Sequence, residues 1–209
     1  MVILDFNKKL DMMIPDAKCE LNYNKDYELL IATVLSAQCT DKRVNEVTRV
    51  LFGLYDIYGL ANADKKDIEK IIRSCGSFTK KSGYIIEIAK SLITNYNGVV
   101  PNDREYLEKL PGVGRKTASV VLSQLFDEPS FAVDTHVYRV SKRLGITKLN
   151  DDVLKTEEKL KKYFDKNKWN RINSQLVLFG RYHCTSKNPK CENCNLKIIC
   201  KKDKLKWKK

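Results

Sequence analysis

Leu110-Pro111-Gly112-Val113-Gly114-Arg115-Lys116-Thr117 links two segments whose apolar residues recur at helical spacing. Gly112 and Gly114 admit backbone angles closed to other residues and put no side chain in the way of an approaching group. A DNA phosphate can therefore reach the amides of the turn and of the helix that follows, where the helix dipole favours an anion. PG-x-G alone fits an ordinary helix–helix turn equally well. The basic pair Arg115-Lys116 immediately after it shifts the reading toward phosphate. Lys116 stands in the first turn of the second helix, where an added positive charge is disfavoured, and this suits an amine that must act as a nucleophile.

Working outward, the same periodicity runs through the chain. Leu29 to Leu35, Val44 to Leu51, Ile68 to Ile72 and Ile85 to Ile93 each mark a helix, and Thr40 and Asp41 offer a cap for the second. Further helices fit 107–110, 115–126, 137–144, 153–164 and 169–182. No alternating stretch is long enough for a strand. Turn chemistry falls at Asn97-Gly98, Pro111-Gly112, Glu128-Pro129 and Asn188-Pro189. The fold class expected is all-α.

Eighteen residues beyond Lys116 comes Val133-Asp134-Thr135-His136, just before a helix. Asp134 is placed to be the helix cap. The same carboxylate can stabilise positive charge developing on a sugar ring or act as a base. At the other end of the chain, Cys184, Cys191, Cys194 and Cys200 form C-x6-C-x2-C-x5-C. Such clustering in a reducing compartment points to metal ligation, and four thiolates suit tetrahedral zinc or an iron–sulfur cluster alike. Cys19, Cys39 and Cys75 stand apart and read as small buried apolar residues.

Composition limits the partners. The net charge is +13, and from Cys184 onward nine lysines face only Glu192 and Asp203, a surplus of seven within the last 26 residues. Charge concentrated in one region argues for a phosphate-facing patch over general solubility. With 43% hydrophobic residues a filled core is expected, and no apolar run reaches membrane-spanning length. The opening residues MVILDFNKKLDMM carry acids and no small-residue cleavage site, so a cytoplasmic protein is expected.

LPGVGRKTA at 110–118, AVDTHVYRV at 132–140, LSAQCTD at 35–41 and FGRYHC at 179–184 with its cysteine series occur in one order along most of the chain. Together they resemble the helix-hairpin-helix DNA glycosylases, and among them the endonuclease III family. The resemblance implies a six-helix domain over 20–130 that carries the hairpin. A cluster domain would be formed by 1–19 with 131–209, its cluster loop spanning 184–200, and a cleft would lie between the two. It implies a [4Fe–4S] cluster on Cys184, Cys191, Cys194 and Cys200, and a monomer acting on double-stranded DNA with damaged bases or abasic sites. It implies that Lys116 attacks the sugar C1′ of a nucleotide flipped from the duplex, forms a Schiff base and cuts 3′ to the lesion by β-elimination, assisted by Asp134. The lesions it implies are mainly oxidised, ring-saturated or fragmented pyrimidines.

DNA contacts are implied for Gln38, Gly112, Val113, Gly114, Arg115 and His136, and for Lys187 and Lys190 of the cluster loop. Gln38 would enter the gap left by the flipped nucleotide. A second wedge, leucine in a Gly-Leu-Tyr stretch of the family, falls here on Ser77 of Gly76-Ser77-Phe78. Serine is a poor apolar wedge, so either Phe78 stands in or the discrimination of the opposite base differs. The related adenine-specific branch lacks the lysine at this position and carries a further C-terminal domain, whereas nine residues follow Cys200 here. A non-catalytic DNA-binding module with a zinc-bound tail is the rival from another class.

Overall fold

A computed structural model of the chain describes residues 2–201, and among these every regular element is a helix. The helices are α1 (Val2–Met13), α2 (Asp26–Leu35), α3 (Asp41–Leu54), α4 (Ile57–Asn62), α5 (Lys65–Ile72), α6 (Phe78–Tyr96), α7 (Arg104–Lys109), α8 (Arg115–Phe126), α9 (Thr135–Arg143), α10 (Val153–Tyr163) and α11 (Trp169–Tyr182). Single 3₁₀ turns occur at Lys166–Lys168 and Lys197–Ile199. The all-α expectation is met. The lysines beyond Lys201 that make up much of the basic tail lie outside the described residues.

The chain divides into two units, Cys19–Asp127 and Met1–Lys18 with Glu128–Lys209. In the first, α2 is the axis. From Glu28 to Leu35 every residue of it is buried, which explains why its apolar residues run nearly unbroken instead of forming one stripe. Helices α3, α6 and α8 pack on it, α4 and α5 pack on α6, and α7 packs on α8. Leu30, Leu51, Ile68, Ile85, Leu107 and Leu122 meet in one core. Each such side chain contributes about 1.5–3 kcal/mol on burial.

The starts of these helices are set by side-chain caps. Thr40 Oγ1 accepts from the Arg43 amide, and Asp56, Asp64 and Asp103 do the same for α4, α5 and α7. Asp103 moves the start of α7 back to Arg104, ahead of the apolar residues from which a helix at 107–110 is expected. At the other ends, Asn97 and Asp127 adopt left-handed conformations that close α6 and α8.

In the second unit α9 packs against α10 and α11, and α1 packs against α11. Phe6 and Leu10 of α1 are buried with Val137, Val140, Leu160, Phe164, Leu176 and Phe179. The Phe6 and Phe131 rings lie 5.4 and 6.1 Å from that of Phe164. Asp11 Oδ1 accepts from Arg171 Nη2 and Gln175 Nε2, each at 2.7 Å. The first helix is thereby held by residues some 160 positions away in sequence.

Candidate functional site

The hairpin turn is built by one left-handed glycine and one buried valine. Gly112 has φ +77°, and a Cβ placed there would lie 2.6 Å from Tyr84 Cδ2. Backbone angle and neighbour therefore both require glycine. The Val113 side chain is buried, and its amide donates to the Leu110 carbonyl at 3.1 Å. This pins the turn to the end of α7. Gly114 is the N-cap of α8 and provides no side-chain cap bond, and a Cβ on it would meet nothing within 4 Å. Helix α8 thus begins with open space in front of its first turn. Gly112, Gly114, Arg115 and Lys116 are all exposed.

A second turn of the same unit carries Gln38. The residue is exposed and left-handed, with φ 59°, just past the end of α2. Side chains other than glycine adopt this conformation only when their surroundings hold them there. The holder is Lys81 of α6, whose buried Nζ donates to the carbonyls of Leu35 at 2.8 Å and Ala37 at 2.7 Å. A cation at a helix C-terminus is also favoured by the dipole. Burial pulls the Lys81 ammonium below its ordinary pKa, and the neighbouring Cys75 and Cys39 oppose that shift. Ser77 is left-handed as well, with φ 57°. Its turn touches the Gln38 turn, since a Cβ on Gly76 would lie 3.5 Å from the Gln38 carbonyl oxygen. Phe78 is half-buried against the core of this unit, so it is not a freely projecting wedge.

In the other unit Asp134 caps α9. Its Oδ1 accepts from the amides of His136 and Val137, both at 2.8 Å, and Oδ2 makes no hydrogen bond among the described residues. One oxygen fixes the carboxylate while the other remains available for chemistry. His136 follows on the same turn. Its Nδ1 lies 3.2 Å from Arg139 Nη2, and because a guanidinium only donates, Nδ1 accepts and the ring is neutral. Burial, with Arg139 and Arg181 adding to it and Asp134 opposing, lowers the imidazole below its ordinary pKa.

Arg139 and Arg143 stand one turn apart on α9 and hold the first cysteine. Arg139 donates to the carbonyls of Gly180 at 2.7 Å and Cys184 at 3.2 Å. Arg143 Nη1 donates to Cys184 Sγ at 3.3 Å and to the Thr185 carbonyl at 2.7 Å, and its Nη2 reaches the Ser186 carbonyl. The glycine of FGRYHC allows this approach, because a Cβ on Gly180 would come within 2.8 Å of His136 Cβ. Neither arginine is among the residues singled out from sequence. Their i, i+4 spacing on a helix ending in Lys142-Arg143 was the available signal.

Cys184, Cys191, Cys194 and Cys200 all line one cavity, together with Phe179, His183 and Leu144. Burial, reinforced by the three other sulfurs, raises the Cys194 thiol above its ordinary pKa. Among the described residues no group of His, Cys, Asp or Glu converges closely enough to hold a single metal ion. His183 stacks on Phe179 at 5.1 Å, and its buried Nε2 has no hydrogen-bond partner among the described residues. His183 lines this cavity, and a buried polar atom without a partner there fits a site that a further group completes. Lys187 and Lys190 are exposed on the loop between the first two cysteines.

The described residues include no helix long and apolar enough to cross a membrane. The model of the HhH-GPD superfamily of base excision DNA repair proteins matches residues 31–166. Endonuclease III of Bacillus subtilis (strain 168) is 44% identical over 202 residues, covering 96% of this chain and 92% of that one. Two solved structures are each 46% identical and cover 94% of this chain. One is a trapped endonuclease III–DNA covalent intermediate with an estranged adenine, with TM-score 0.89 over 93% of its chain; the other is a non-covalent endonuclease III–DNA complex, with TM-score 0.90 over 92%. The open hairpin, the capping aspartate and the cysteine-lined cavity thus occur in a chain that belongs to the HhH-GPD superfamily of base excision DNA repair proteins and, within it, to the endonuclease III family.

Proposed function

We propose that this base excision repair enzyme, a DNA glycosylase and AP lyase by family, removes oxidised pyrimidines with Lys116 as nucleophile and Asp134 as its assisting carboxylate. The Lys116 amine bonds to C1′ as the C1′–N glycosidic bond breaks, and the damaged base leaves with a proton. Opening of the sugar ring turns the aminal into an iminium. Loss of a C2′ proton then expels the 3′ phosphate, cutting the strand 3′ to the lesion. The Asp134 carboxylate stabilises positive charge on the sugar during cleavage and carries protons in the later steps. Its fixed Oδ1 and available Oδ2 support that role. The observation that carries the reading is an exposed lysine in the first turn of a helix with no side-chain cap, in a chain 46% identical to an endonuclease III trapped covalently on DNA.

The exposed turn at Gly112 to Arg115 would receive the backbone phosphates, with Val113 keeping the turn in shape from beneath. Gln38 would fill the space left by the flipped nucleotide. His136, Lys187 and Lys190 would add contacts to the strand. The two units correspond in this reading to a hairpin domain near 20–130 and a cluster domain made of 1–19 and 131–209. The four cysteines, which line one cavity, would hold a [4Fe–4S] cluster, as the resemblance to the endonuclease III family implies. When bound, the cluster ties four points of the C-terminal segment together and so fixes the loop carrying Lys187 and Lys190.

Borohydride trapping on a duplex containing one thymine glycol tests the nucleophile. Reduction of the iminium makes the protein–DNA bond permanent, so wild type is expected to give a covalent adduct and Lys116→Gln none, with binding retained. An adduct with Lys116→Gln would assign the nucleophile to another amine. Binding without an adduct from either protein would favour a monofunctional glycosylase with other substrates or the non-catalytic DNA-binding module.

A further inference from the structure

We propose that Cys39 and Cys75 are a peroxide-sensitive dithiol that closes into an intramolecular disulfide beneath the Gln38 turn and thereby weakens binding to damaged DNA. The two sulfurs lie 3.6 Å apart, in hydrogen-bond contact, although 36 positions separate them in sequence. Neither belongs to the cysteine cavity near the C-terminus. A disulfide needs about 2.05 Å between sulfurs, so closure asks for a movement of roughly 1.5 Å. Cys39 is partly exposed and Cys75 is wholly buried.

This asymmetry separates the roles. Burial, with the Cys39 contact adding to it, pushes the Cys75 thiol up to about 12, so Cys75 stays protonated and is not the first to react. Cys39 is partly exposed, so a hydroperoxide arriving from solvent meets its sulfur first. Its sulfur attacks one oxygen of a hydroperoxide, the O–O bond breaks, and water or an alcohol leaves. The resulting Cys39 sulfenic acid is attacked by the Cys75 sulfur. The S–O bond breaks, and hydroxide leaves with the Cys75 proton as water. Two thiols are oxidised and one peroxide is reduced.

The consequence follows from what flanks each cysteine. Cys39 comes directly after Gln38, and Cys75 lies two residues before Ser77, and both of those residues are held left-handed. The turns already touch through Gly76, and Lys81 clamps the carbonyls on the Gln38 side. A pull on the Cys39 sulfur therefore acts on a backbone already held on both sides, next to Gln38. The effect on DNA rests on the role proposed above for Gln38, whereas the disulfide itself does not.

The test uses the cluster-loaded enzyme treated with stoichiometric hydrogen peroxide, with the visible absorbance of the cluster followed to confirm that it stays intact. In a non-reducing digest the peptides of Cys39 and Cys75 are expected joined and lighter by two hydrogen atoms. Affinity for a duplex containing an abasic-site analogue should fall roughly tenfold, about 1.4 kcal/mol, and return with dithiothreitol. Cys75→Ala should bind DNA like wild type when reduced, form no cross-link, and lose no affinity reversibly. Cys39→Ser should behave in the same way, which guards against a packing defect at the buried position. Absence of the joined peptide in wild type, or Cys39 joined to a different cysteine, overturns the dithiol. A joined peptide with unchanged affinity overturns the switch. If reduced Gln38→Ala binds as tightly as wild type, the role of Gln38 fails while the cross-link still stands.

Discussion

The starts of α8 and α9 present the same problem and solve it in opposite ways. Each helix leaves its first amides without intrahelical acceptors. At α9 the chain provides the acceptor itself, with Asp134 Oδ1 taking two amides at 2.8 Å each. At α8 the N-cap is Gly114, which has no side chain to offer, and nothing would touch a Cβ placed there. The closed start immobilises a carboxylate, and the open one leaves room for an anion from outside. In the function proposed above, the fixed carboxylate would serve the reacting sugar and the bare helix end would receive the phosphate backbone.

The largest effect expected from disturbing this contrast is at the closed end. Asparagine caps a helix about as well as aspartate, so Asp134→Asn should leave the fold and DNA affinity nearly unchanged. Turnover should nonetheless fall roughly 10²- to 10⁴-fold, the range for loss of a general acid–base group. Asp134→Ala should lose turnover to a similar degree and about 1 kcal/mol of stability in addition, the usual cost of a missing cap. Single-turnover kinetics on thymine glycol DNA beside a urea melt separates the two functions. Full activity in the asparagine variant would reduce Asp134 to a cap.

The open end can be closed deliberately. Gly114→Asp places a capping carboxylate where φ is −96° and the added atoms meet open space. The helix should gain a few tenths of a kcal/mol from the cap, with a similar gift from the dipole. Affinity for duplex DNA should drop roughly tenfold, since the new carboxylate occupies and repels the phosphate position. Stability and binding thus move in opposite directions, which a plain folding defect cannot imitate. Undiminished affinity in a variant at least as stable as wild type would contradict the proposed phosphate site at this turn.

Both helix starts were legible in the sequence, and other parts of the molecule were not. The spans expected for α8 and α11 agree with the observed ones, because Gly114 and the Pro-Gly turn mark the first and a long amphipathic stripe marks the second. Asp134 was readable as a cap from its position alone. Helix α4 was not, since six residues with Ile57, Leu60 and Ala61 buried give too little periodicity to register. The left-handed Gln38 was equally hidden. Its conformation depends on Lys81, 43 positions away, and nothing local to Ser36-Ala37-Gln38 demands it. The clamp of Arg139 and Arg143 on Cys184 is tertiary in the same sense. Cys39 and Cys75 read from sequence as unrelated small core residues, and only the packing brings their sulfurs to 3.6 Å.

The smallest effect expected concerns protons at the closed helix start. His136 follows the cap, at the positive end of the α9 dipole, and burial lowers its pKa in the folded state. The sign follows from linkage. As pH falls through the ordinary imidazole value of about 6.5, the unfolded chain takes up a proton before the folded chain does. Stability is therefore complete above that pH and declines below it, until the folded imidazole is protonated too. His136→Gln removes this contribution and should flatten the loss of stability between neutral and mildly acidic pH, leaving the share of His183, whose imidazole burial also lowers. The wild-type slope surviving unchanged in His136→Gln would mean that His136 takes up its proton equally in both states, and that the closed start of α9 places no strain on a charge beside it.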